Sequence, residues 1–194
     1  MNKETSEKII RQTIDILETG GVILYPADTI WGIGCDATQK QAIKRVYEIK
    51  GRDFNKPLIL LVSNLHQLYQ VVTAVHPRID TLLSLHERPL TVVYPAAKPN
   101  FQHLVAPDGT IAVRVVRSGF CHDLIEAYGK PLVSTSANIS GDPSPTKFGS
   151  VSSAIIGQVD FVLPAFTEKG ITGTASVIAR YDANGELDFI RTQA

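Results

Sequence analysis

The apolar run LILLV at residues 58–62 restricts the fold of this chain more than any other stretch. A strand with one face in water alternates apolar and polar residues, whereas an unbroken apolar run belongs to a strand covered on both faces. An amphipathic segment at residues 38–50 precedes this run, and a basic loop, KGRDFNKP, joins the two. A helix that leads into a buried strand predicts an α/β sheet with helices packed against it.

Helices and strands alternate through most of the chain, with Gly51 and Gly129 placed as helix stops. The predicted helices lie at residues 6–18, 38–50, 63–72, 77–85, 118–128 and 151–156. The predicted strands lie at residues 22–25, 58–62, 90–94, 111–116, 132–135, 161–163, 176–179 and 187–191. The sequence shows no repeat and no linker between these segments, so we expect one α/β domain over residues 1–194.

Local signals predict where several of these elements begin or turn. Thr38 starts a capping-box pattern, and Ser63 and Ser118 are expected to cap two further helices. The segment PADTIWGIG after the first strand is predicted to be a loop because it is rich in turn residues. Asn184 followed by glycine predicts the turn of the last hairpin.

The charge balance disfavours a general electrostatic grip on nucleic acid. Lysine and arginine together number 19, as do aspartate and glutamate, so the formal net charge is zero. No apolar run approaches the ~18 residues of a membrane span, and the N-terminus has no apolar signal core. Cys35 and Cys121 lack metal-type spacing and are expected to be buried thiols in a reducing compartment. We therefore expect a cytoplasmic protein without a membrane segment.

Familiar cofactor and hydrolase motifs do not account for this chain. Gly32-x-Gly34-x-x-Ala37 formally matches a dinucleotide fingerprint, but it starts too far beyond the first strand and precedes the expected cap at Thr38. Backbone freedom in a loop explains these glycines better. The sequence has no phosphate-loop or GxSxG pattern, and its histidines form no zinc motif. A nicotinamide enzyme, a serine hydrolase and a zinc enzyme are therefore disfavoured.

Three cations, Lys50, Arg52 and Lys56, cluster around the end of the second predicted helix. In one interpretation they are solvated charges that suit the negative end of the helix dipole. In the other they form an anion site, in which an arginine fork and lysine charges bind phosphates. The spacing alone does not decide between the two.

Polar residues also interrupt or follow two apolar strands. Arg114 stands within IAVRVV, where it either points from an exposed strand face or meets an anionic ligand. Ser134, Ser136 and Asn138 lie at the end of another strand, where they either make turns or bind phosphate oxygens. Ligands of α/β sheets favour the carboxyl ends of strands, so both functional interpretations stay open.

Several segments in a fixed order resemble the YrdC-type threonylcarbamoyl-adenylate synthase family. They are PADTIWGIG, KGRDFNKPLILLV, PLTVVYPA, GTIAVRV, VSTSANISGDPSPT and GTASVIA. The resemblance covers about residues 20–191. Its most specific pieces are the KxR pattern at Lys50 and Arg52 and the SxN pattern at Ser136 and Asn138.

The resemblance implies both a fold and a reaction. The fold is a single α/β domain, with a twisted, open, mixed sheet and flanking helices around a large concave cavity. The reaction converts L-threonine, bicarbonate and ATP into threonylcarbamoyl-adenylate and pyrophosphate, with Mg²⁺ accompanying ATP and no protein residue assigned as its direct ligand. Partner proteins would then transfer the threonylcarbamoyl group to tRNA, and a direct contact with tRNA or double-stranded RNA is conceivable.

The resemblance also assigns roles residue by residue. The implied catalytic residues are Lys50, Arg52, Ser136 and Asn138. The implied ATP-binding residues are Arg52, Lys56, Thr110, Ser136, Ser144 and Arg191. The implied threonine-binding residues are Thr29, Arg114, Ser134 and Ser176.

Four positions depart from the commoner family pattern: Ala27, Leu61, Val177 and Arg180. The first two could alter contacts with threonine. Two alternative functions stay open, namely a module that binds structured or double-stranded RNA, and a related enzyme of the same fold with another nucleotide or acyl acceptor. Salt-dependent RNA binding without ATP turnover would identify the first, and threonine-independent ATP turnover the second.

Overall fold

The computed structural model describes residues 3–192, and its strands form one mixed sheet. The helices are α1 (Lys3–Glu18), α2 (Lys40–Lys50), α3 (Leu65–Val71), α4 (Pro77–Leu85), α5 (Gly119–Tyr128) and α6 (Ser153–Ile156). The strands are β1 (Ile23–Pro26), β2 (Trp31–Asp36), β3 (Ile59–Val62), β4 (Leu90–Tyr94), β5 (Ile111–Val115), β6 (Leu132–Ser136), β7 (Phe161–Val162), β8 (Val177–Tyr181) and β9 (Leu187–Arg191). Short 3-10 helices span Pro99–Leu104, Phe148–Ser150 and Ala165–Glu168.

The sheet is open, and its strand order is β7-β1-β2-β6-β3-β5-β4-β8-β9. The pairs β1/β7, β3/β5 and β4/β8 are parallel, and the other neighbouring pairs are antiparallel. The apolar strand β3 lies at the centre, with β6 on one side and β5 on the other, as its unbroken apolar sequence requires. The predicted α/β fold with a mixed open sheet is therefore confirmed.

Two hydrophobic clusters cover the two faces of the sheet. Leu60 belongs to the cluster that includes Val46 of α2, whereas Leu61 belongs to the cluster that includes Leu17 of α1 and Leu124 of α5. Neighbouring residues of one strand thus pack into different cores, because successive side chains point to opposite faces. Among residues 3–192, no helix has the length and apolarity that a bilayer crossing requires.

The last four residues of the segment predicted to be a loop, 31–34, belong instead to the strand β2, which pairs with β1 and β6. Gly32 and Gly34 lie inside this strand, and neither has a positive φ, so the explanation by backbone freedom is wrong. A Cβ on Gly34 would lie 2.0 Å from the carbonyl oxygen of Val133, and one on Gly32 would lie 3.0 Å from that of Thr135. The glycines allow a close approach of two backbones.

Two predicted helix caps are also corrected. Gln39 rather than Thr38 precedes α2, because the amide and hydroxyl of Thr38 both donate to the buried carboxylate of Asp36, each at 2.7 Å. Asn64 rather than Ser63 caps α3 with its side chain. A buried carboxylate needs donors more than a helix end open to water does, which explains the use of Thr38.

Most other boundaries differ from prediction by only a few residues. Gly51 and Gly129 end α2 and α5 in the left-handed conformation, with φ of 56° and 74°, as predicted. In the predicted helix at 151–156 only Ser153–Ile156 is α-helical, after a 3-10 turn. Both cysteines are free and buried, as expected.

Candidate functional site

A concave cavity of about 410 Å³, called here the main cavity, opens on one face of the sheet. Ile59, Ala112 and Val93 line it and are neighbours in register across β3, β5 and β4, so the sheet forms its floor. A second cavity of about 480 Å³, the adjoining cavity, shares Pro57, Val93, Ala112 and Ile190 with it. The two together form one long depression.

Most of the predicted site residues line the main cavity, although they come from distant parts of the chain. They are Thr29, Arg52, Lys56, Arg114, Ser134, Ser136, Ser144, Ser176 and Arg191. Thr110 lines the adjoining cavity instead. Lys50 and Asn138 lie behind the wall, where they connect two loops.

The loop after α2 fixes the orientation of Arg52. Its Nε donates to the carbonyl of Lys56 at 3.3 Å, and its Nη2 donates to that of Pro57 at 3.0 Å. The hydroxyl of Tyr47 donates to the same Lys56 carbonyl at 3.1 Å, which ties the loop to the helix. The guanidinium is thus held half-buried at the wall of the main cavity, an arrangement that suits anion binding.

Lys50 has a different environment from the one predicted. Its side chain is fully buried, and Nζ donates to the backbone carbonyls of Ser136 and Asn138 at 2.6 and 2.7 Å. The ammonium therefore clamps the end of α2 to the end of β6 instead of facing the cavity. A direct contact of Lys50 with a phosphate stays a prediction.

The buried ammonium of Lys50 gives the stability of the protein a distinct pH dependence. Burial, together with the charge of Arg52, lowers the pKa of Lys50 from 10.5 to about 8. Between these two values the unfolded chain binds more protons, so stability rises with pH. We expect the free energy of unfolding of wild type, relative to Lys50→Met, to rise by roughly 3 kcal/mol between pH 8 and 10.5. Urea denaturation of both proteins across this range measures it, and a constant difference would contradict the pKa assignment.

Asn138 organises the loop that follows β6. Its Nδ2 donates to the carbonyl of Asp142 at 2.7 Å. The amide of Ser140 donates to the carbonyl of Lys50 at 2.9 Å, so bonds run in both directions between the KxR and SxN segments. These contacts leave Ser136 at the cavity wall.

Arg114 lies in β5 and lines the main cavity, with only 4% of its surface exposed. Of the two interpretations offered by the sequence, the structure rules out an exposed strand face. Its Nη2 lies 2.8 Å from Oδ1 of Asp28, while its Nε has no hydrogen-bond partner among residues 3–192. Asp28 was not predicted as a site residue; the signal that could have found it is the need of a buried arginine for a carboxylate.

Ser176 and Arg191 close the opposite side of the main cavity. Nε and Nη2 of Arg191 donate to the carbonyl of Ser176 at 3.0 and 2.8 Å. The hydroxyl of Ser176 lies 2.8 Å from that of Thr91, another residue that the sequence did not suggest. Partial burial and the charge of Arg114 lower the pKa of Arg191, so two guanidinium groups share one positively charged site.

Distant segments also hold the turn before β2 in place. The amide of Gly173 donates to the carbonyl of Thr29 at 2.8 Å. The indole of Trp31, which lines the main cavity, donates to Glu168 at 2.5 Å, and the same carboxylate accepts from the amide of Phe148 at 2.9 Å. Neither Trp31 nor Glu168 was predicted, because no local pattern links residues so far apart.

The positions that depart from the family pattern lie in different surroundings. Ala27 lines the main cavity, whereas Leu61 is fully buried and pairs in register with Arg114. Val177 pairs with Leu90 at the start of β8. Arg180 lines the adjoining cavity. Ala27 is thus the departure that changes the wall of the main cavity.

The donor set of the main cavity suits anions and does not suit a resident metal ion. Its wall presents hydroxyls, guanidinium groups and one ammonium. Within the described part of the chain, no three side chains of histidine, cysteine, aspartate or glutamate are grouped to hold a metal. A hard cation such as Mg²⁺ prefers oxygen ligands, so it would have to arrive with an anion.

Relatives match most of this chain in sequence. A family model named Sua5_yciO_yrdC, with the description "Telomere recombination", matches residues 15–192. A threonylcarbamoyl-AMP synthase from Shigella boydii is 33% identical over an aligned region of 184 residues, which covers 89% of this chain and 97% of that protein.

Solved structures match the fold as well. Sua5 from P. abyssi, complexed with L-threonine, has a TM-score of 0.81 and 26% identity over 95% of this chain. This chain spans 54% of that protein's length. YciO from E. coli has a TM-score of 0.82 over 96% of this chain and 90% of its own, and at 22% identity this match shows the fold alone.

Proposed function

Because this chain belongs to the Sua5/YciO/YrdC family, we propose that it is an L-threonylcarbamoyl-adenylate synthase, a nucleotidyltransferase that acts on L-threonine, bicarbonate and ATP. The observation that carries the proposal is the convergence of Arg52, Lys56, Arg114 and Arg191 on one cavity with serine hydroxyls between them. A site with four cations and few carboxylates suits substrates that are themselves anionic.

The two cavities offer separate places for the triphosphate and the adenosine of ATP. The triphosphate would bind beside Arg52, Lys56 and Arg191, with the hydroxyls of Ser136 and Ser144 as further donors. The adenosine would extend into the adjoining cavity, which Thr110 lines. This division follows from the two walls, since the three cations line the main cavity and Thr110 lines the adjoining one.

Threonine would occupy the part of the main cavity near Arg114. A guanidinium can bind both oxygens of a carboxylate at once, and Arg114 lines this cavity. Thr29, Ser134 and Ser176 line the same cavity and offer polar groups for the rest of the amino acid. The complex of the P. abyssi relative with L-threonine supports threonine as the amino-acid substrate.

The reaction needs positioning and charge stabilisation more than a covalent nucleophile. The amine of threonine combines with bicarbonate to give a carbamate and water. A carbamate oxygen then attacks the α-phosphorus, the bond to the β-phosphate oxygen breaks, and pyrophosphate leaves. Negative charge builds up on phosphate oxygens, where Arg52, Lys56 and Arg191 would stabilise it.

We expect Mg²⁺ to enter with ATP, because the cavity wall provides hydroxyls and cations instead of a carboxylate cluster. When bound, the ion neutralises part of the phosphate charge. The phosphates would be its main ligands, and Ser136 and Ser144 provide hydroxyl oxygens in the same wall.

The product implies partners. A mixed anhydride of carbamate and phosphate reacts with water, so proteins that transfer the threonylcarbamoyl group to tRNA must consume it promptly. Direct RNA binding and a cytoplasmic location stay predictions. The formal net charge of zero gives no support to a strong contact with RNA.

The proposed function is tested by incubating purified protein with ATP, Mg²⁺, bicarbonate and labelled threonine. We expect pyrophosphate release that depends on threonine, together with a labelled adenylate. ATP turnover that does not depend on threonine would indicate another acyl acceptor. Steeply salt-dependent RNA binding without turnover would indicate an RNA-binding module.

Replacement of Arg52 should separate ATP binding from stability. We expect Arg52→Ala to weaken ATP binding about 10- to 100-fold, because hydrogen bonds to charged groups contribute about 1.5–3 kcal/mol. The melting temperature should change little, since the side chain is half-buried in a surface loop. Isothermal titration with ATP and thermal unfolding measure the two effects, with the exposed Arg11→Ala as control. Equal losses of affinity and stability would contradict a binding role.

A further inference from the structure

Buried polar atoms without partners gather beside the main cavity. In residues 3–192 such side-chain atoms are Oη of Tyr25, Oδ1 of Asp28 and Nε of Arg114. Tyr25 lies in β1, Asp28 follows that strand, and Arg114 lies in β5. Unsatisfied buried groups cost free energy, and in folded proteins each calls for an explanation. Asp28 and Arg114 lie in contact, with Oδ1 2.8 Å from Nη2, so these two residues are best explained together.

The contact between Asp28 and Arg114 balances charge without an aligned hydrogen bond to Oδ1 of Asp28. Nη2 lies 2.8 Å from Oδ1, yet Oδ1 accepts no aligned hydrogen bond, so the contact is an ion pair with poor hydrogen-bond geometry. A guanidinium carries five N–H donors. Nε is buried as well as unpaired, so a ligand in the main cavity would meet the terminal N–H groups of Arg114.

Asp28 and Arg114 face opposite sides of a thin wall. Arg114 lines the main cavity, whereas Asp28 lines a smaller cavity of about 90 Å³, and Ala27 lines both. The backbone of Asp28 is fixed, because its carbonyl accepts from the amide of Thr172 at 3.0 Å. The carboxylate thus supports the arginine from behind, out of the position that a ligand would take.

We propose that Asp28 is a positioning residue that holds the guanidinium of Arg114 with its free donors toward the main cavity. The side chain of Arg114 is only 5% exposed, and the carboxylate of Asp28 balances its positive charge. The guanidinium can therefore stay buried without turning toward solvent. The ligand held in this way is the carboxylate or carbamate of the amino-acid substrate. This inference rests on the proposed function, because Arg114 belongs to the threonine half of that site.

Two opposing effects of Asp28→Asn can be told apart. The lost negative charge acts on every anion in the cavity and would favour ATP binding. Loss of the fixed orientation of the Arg114 guanidinium affects only the binding of the ligand that Arg114 contacts. We expect kcat/KM for threonine to fall about 10- to 100-fold, because small misplacements of a substrate are costly. The dissociation constant for ATP should stay the same or decrease. A general loss of structure would instead weaken the binding of both ATP and threonine.

A double-mutant cycle tests whether Asp28 acts through Arg114. In the Arg114→Met background, Asp28→Asn should cause no further loss of activity with threonine. A further loss of tenfold or more would mean that Asp28 acts on the substrate directly and would overturn the proposal, as would wild-type kinetics of the single variant. Asp123→Asn, which removes an exposed carboxylate on α5, is the matched control.

Thermal unfolding tests the coupling of Asp28 and Arg114 without any substrate. Asp28→Asn leaves a buried arginine unpaired, so we expect its melting temperature to fall by about 10 °C. Addition of Arg114→Met should restore most of that loss, whereas additive losses would overturn the coupling. Failure of the proposed function gives a different result, because wild type itself would then release no pyrophosphate in response to threonine. The melting temperatures of the four proteins would still show whether Asp28 and Arg114 are coupled.

Discussion

Gly34→Ala is expected to lower the free energy of unfolding by about 4 kcal/mol or more, which is a large part of the stability of a typical domain. The new Cβ would lie 2.0 Å from the carbonyl oxygen of Val133 and 3.1 Å from the ring of Tyr25. The strand that carries Gly34 pairs on both sides, with β1 and β6, so it cannot move away without breaking hydrogen bonds. Urea denaturation monitored by circular dichroism measures the loss.

Two other glycines provide a graded control for this prediction. Gly149→Ala should change stability by about 0.5 kcal/mol or less, because a Cβ there meets nothing within 4 Å. Gly32→Ala should fall between the two, since its Cβ would lie 3.0 Å from the carbonyl oxygen of Thr135. Equal midpoints for the Gly34 and Gly149 variants would contradict the register of β2 and β6.

Arg114→Met is expected to reduce kcat/KM for threonine about 100-fold or more. Loss of one partner from a buried charged contact costs about 2–5 kcal/mol, and this guanidinium is the one that we place against the threonine carboxylate. Steady-state kinetics with varied threonine at saturating ATP measure the effect. ATP binding should change far less, because Arg52, Lys56 and Arg191 are retained.

Two further variants sharpen the prediction for Arg114. Arg114→Lys should fail to restore activity, since an ammonium offers one point charge where a guanidinium offers a planar fork. Arg11→Met removes an exposed arginine on α1 and should leave the kinetics unchanged. Wild-type kinetics in Arg114→Lys would show that charge alone matters at this position.

Most of the fold could be predicted from the sequence, because the buried faces of helices and strands produce regular patterns of apolar residues. The run at residues 58–62 predicted a strand covered on both faces, and Leu60 and Leu61 indeed pack into separate clusters. Gly51 and Gly129 marked the ends of two helices, because only glycine adopts the left-handed conformation easily. Such local signals need no knowledge of distant contacts.

The strand β2 could not be predicted, because its residues resemble a loop. Its glycines lower strand propensity, and what makes it a strand is pairing with β1 and β6. The partner β6 begins at Leu132, far along the chain from Trp31. Strand identity here depends on tertiary context, which no window of the sequence contains.

In the candidate site, too, local patterns were visible in the sequence and contacts between distant residues were not. The basic loop and the serine-rich loop were visible as local patterns, but neither pattern could decide between solvated charges and a binding site. The resemblance to a family supplied that choice, and the structure brought Arg52, Arg114 and Ser136 to one cavity. Residues that act through distant partners stayed hidden: Trp31 and Glu168 are 137 positions apart in the chain.

The position of β9 at the edge of the sheet gives the two halves of the cavity different protection against local opening. Among the strands in residues 3–192, β9, which carries Arg191, pairs with β8 alone, whereas β5, which carries Arg114, pairs with both β3 and β4. Local opening of an edge element requires much less free energy than global unfolding. We therefore expect the wall that carries Arg191 to open more readily than the part of the sheet that carries Arg114, so the least protected strand limits how long the cavity stays complete.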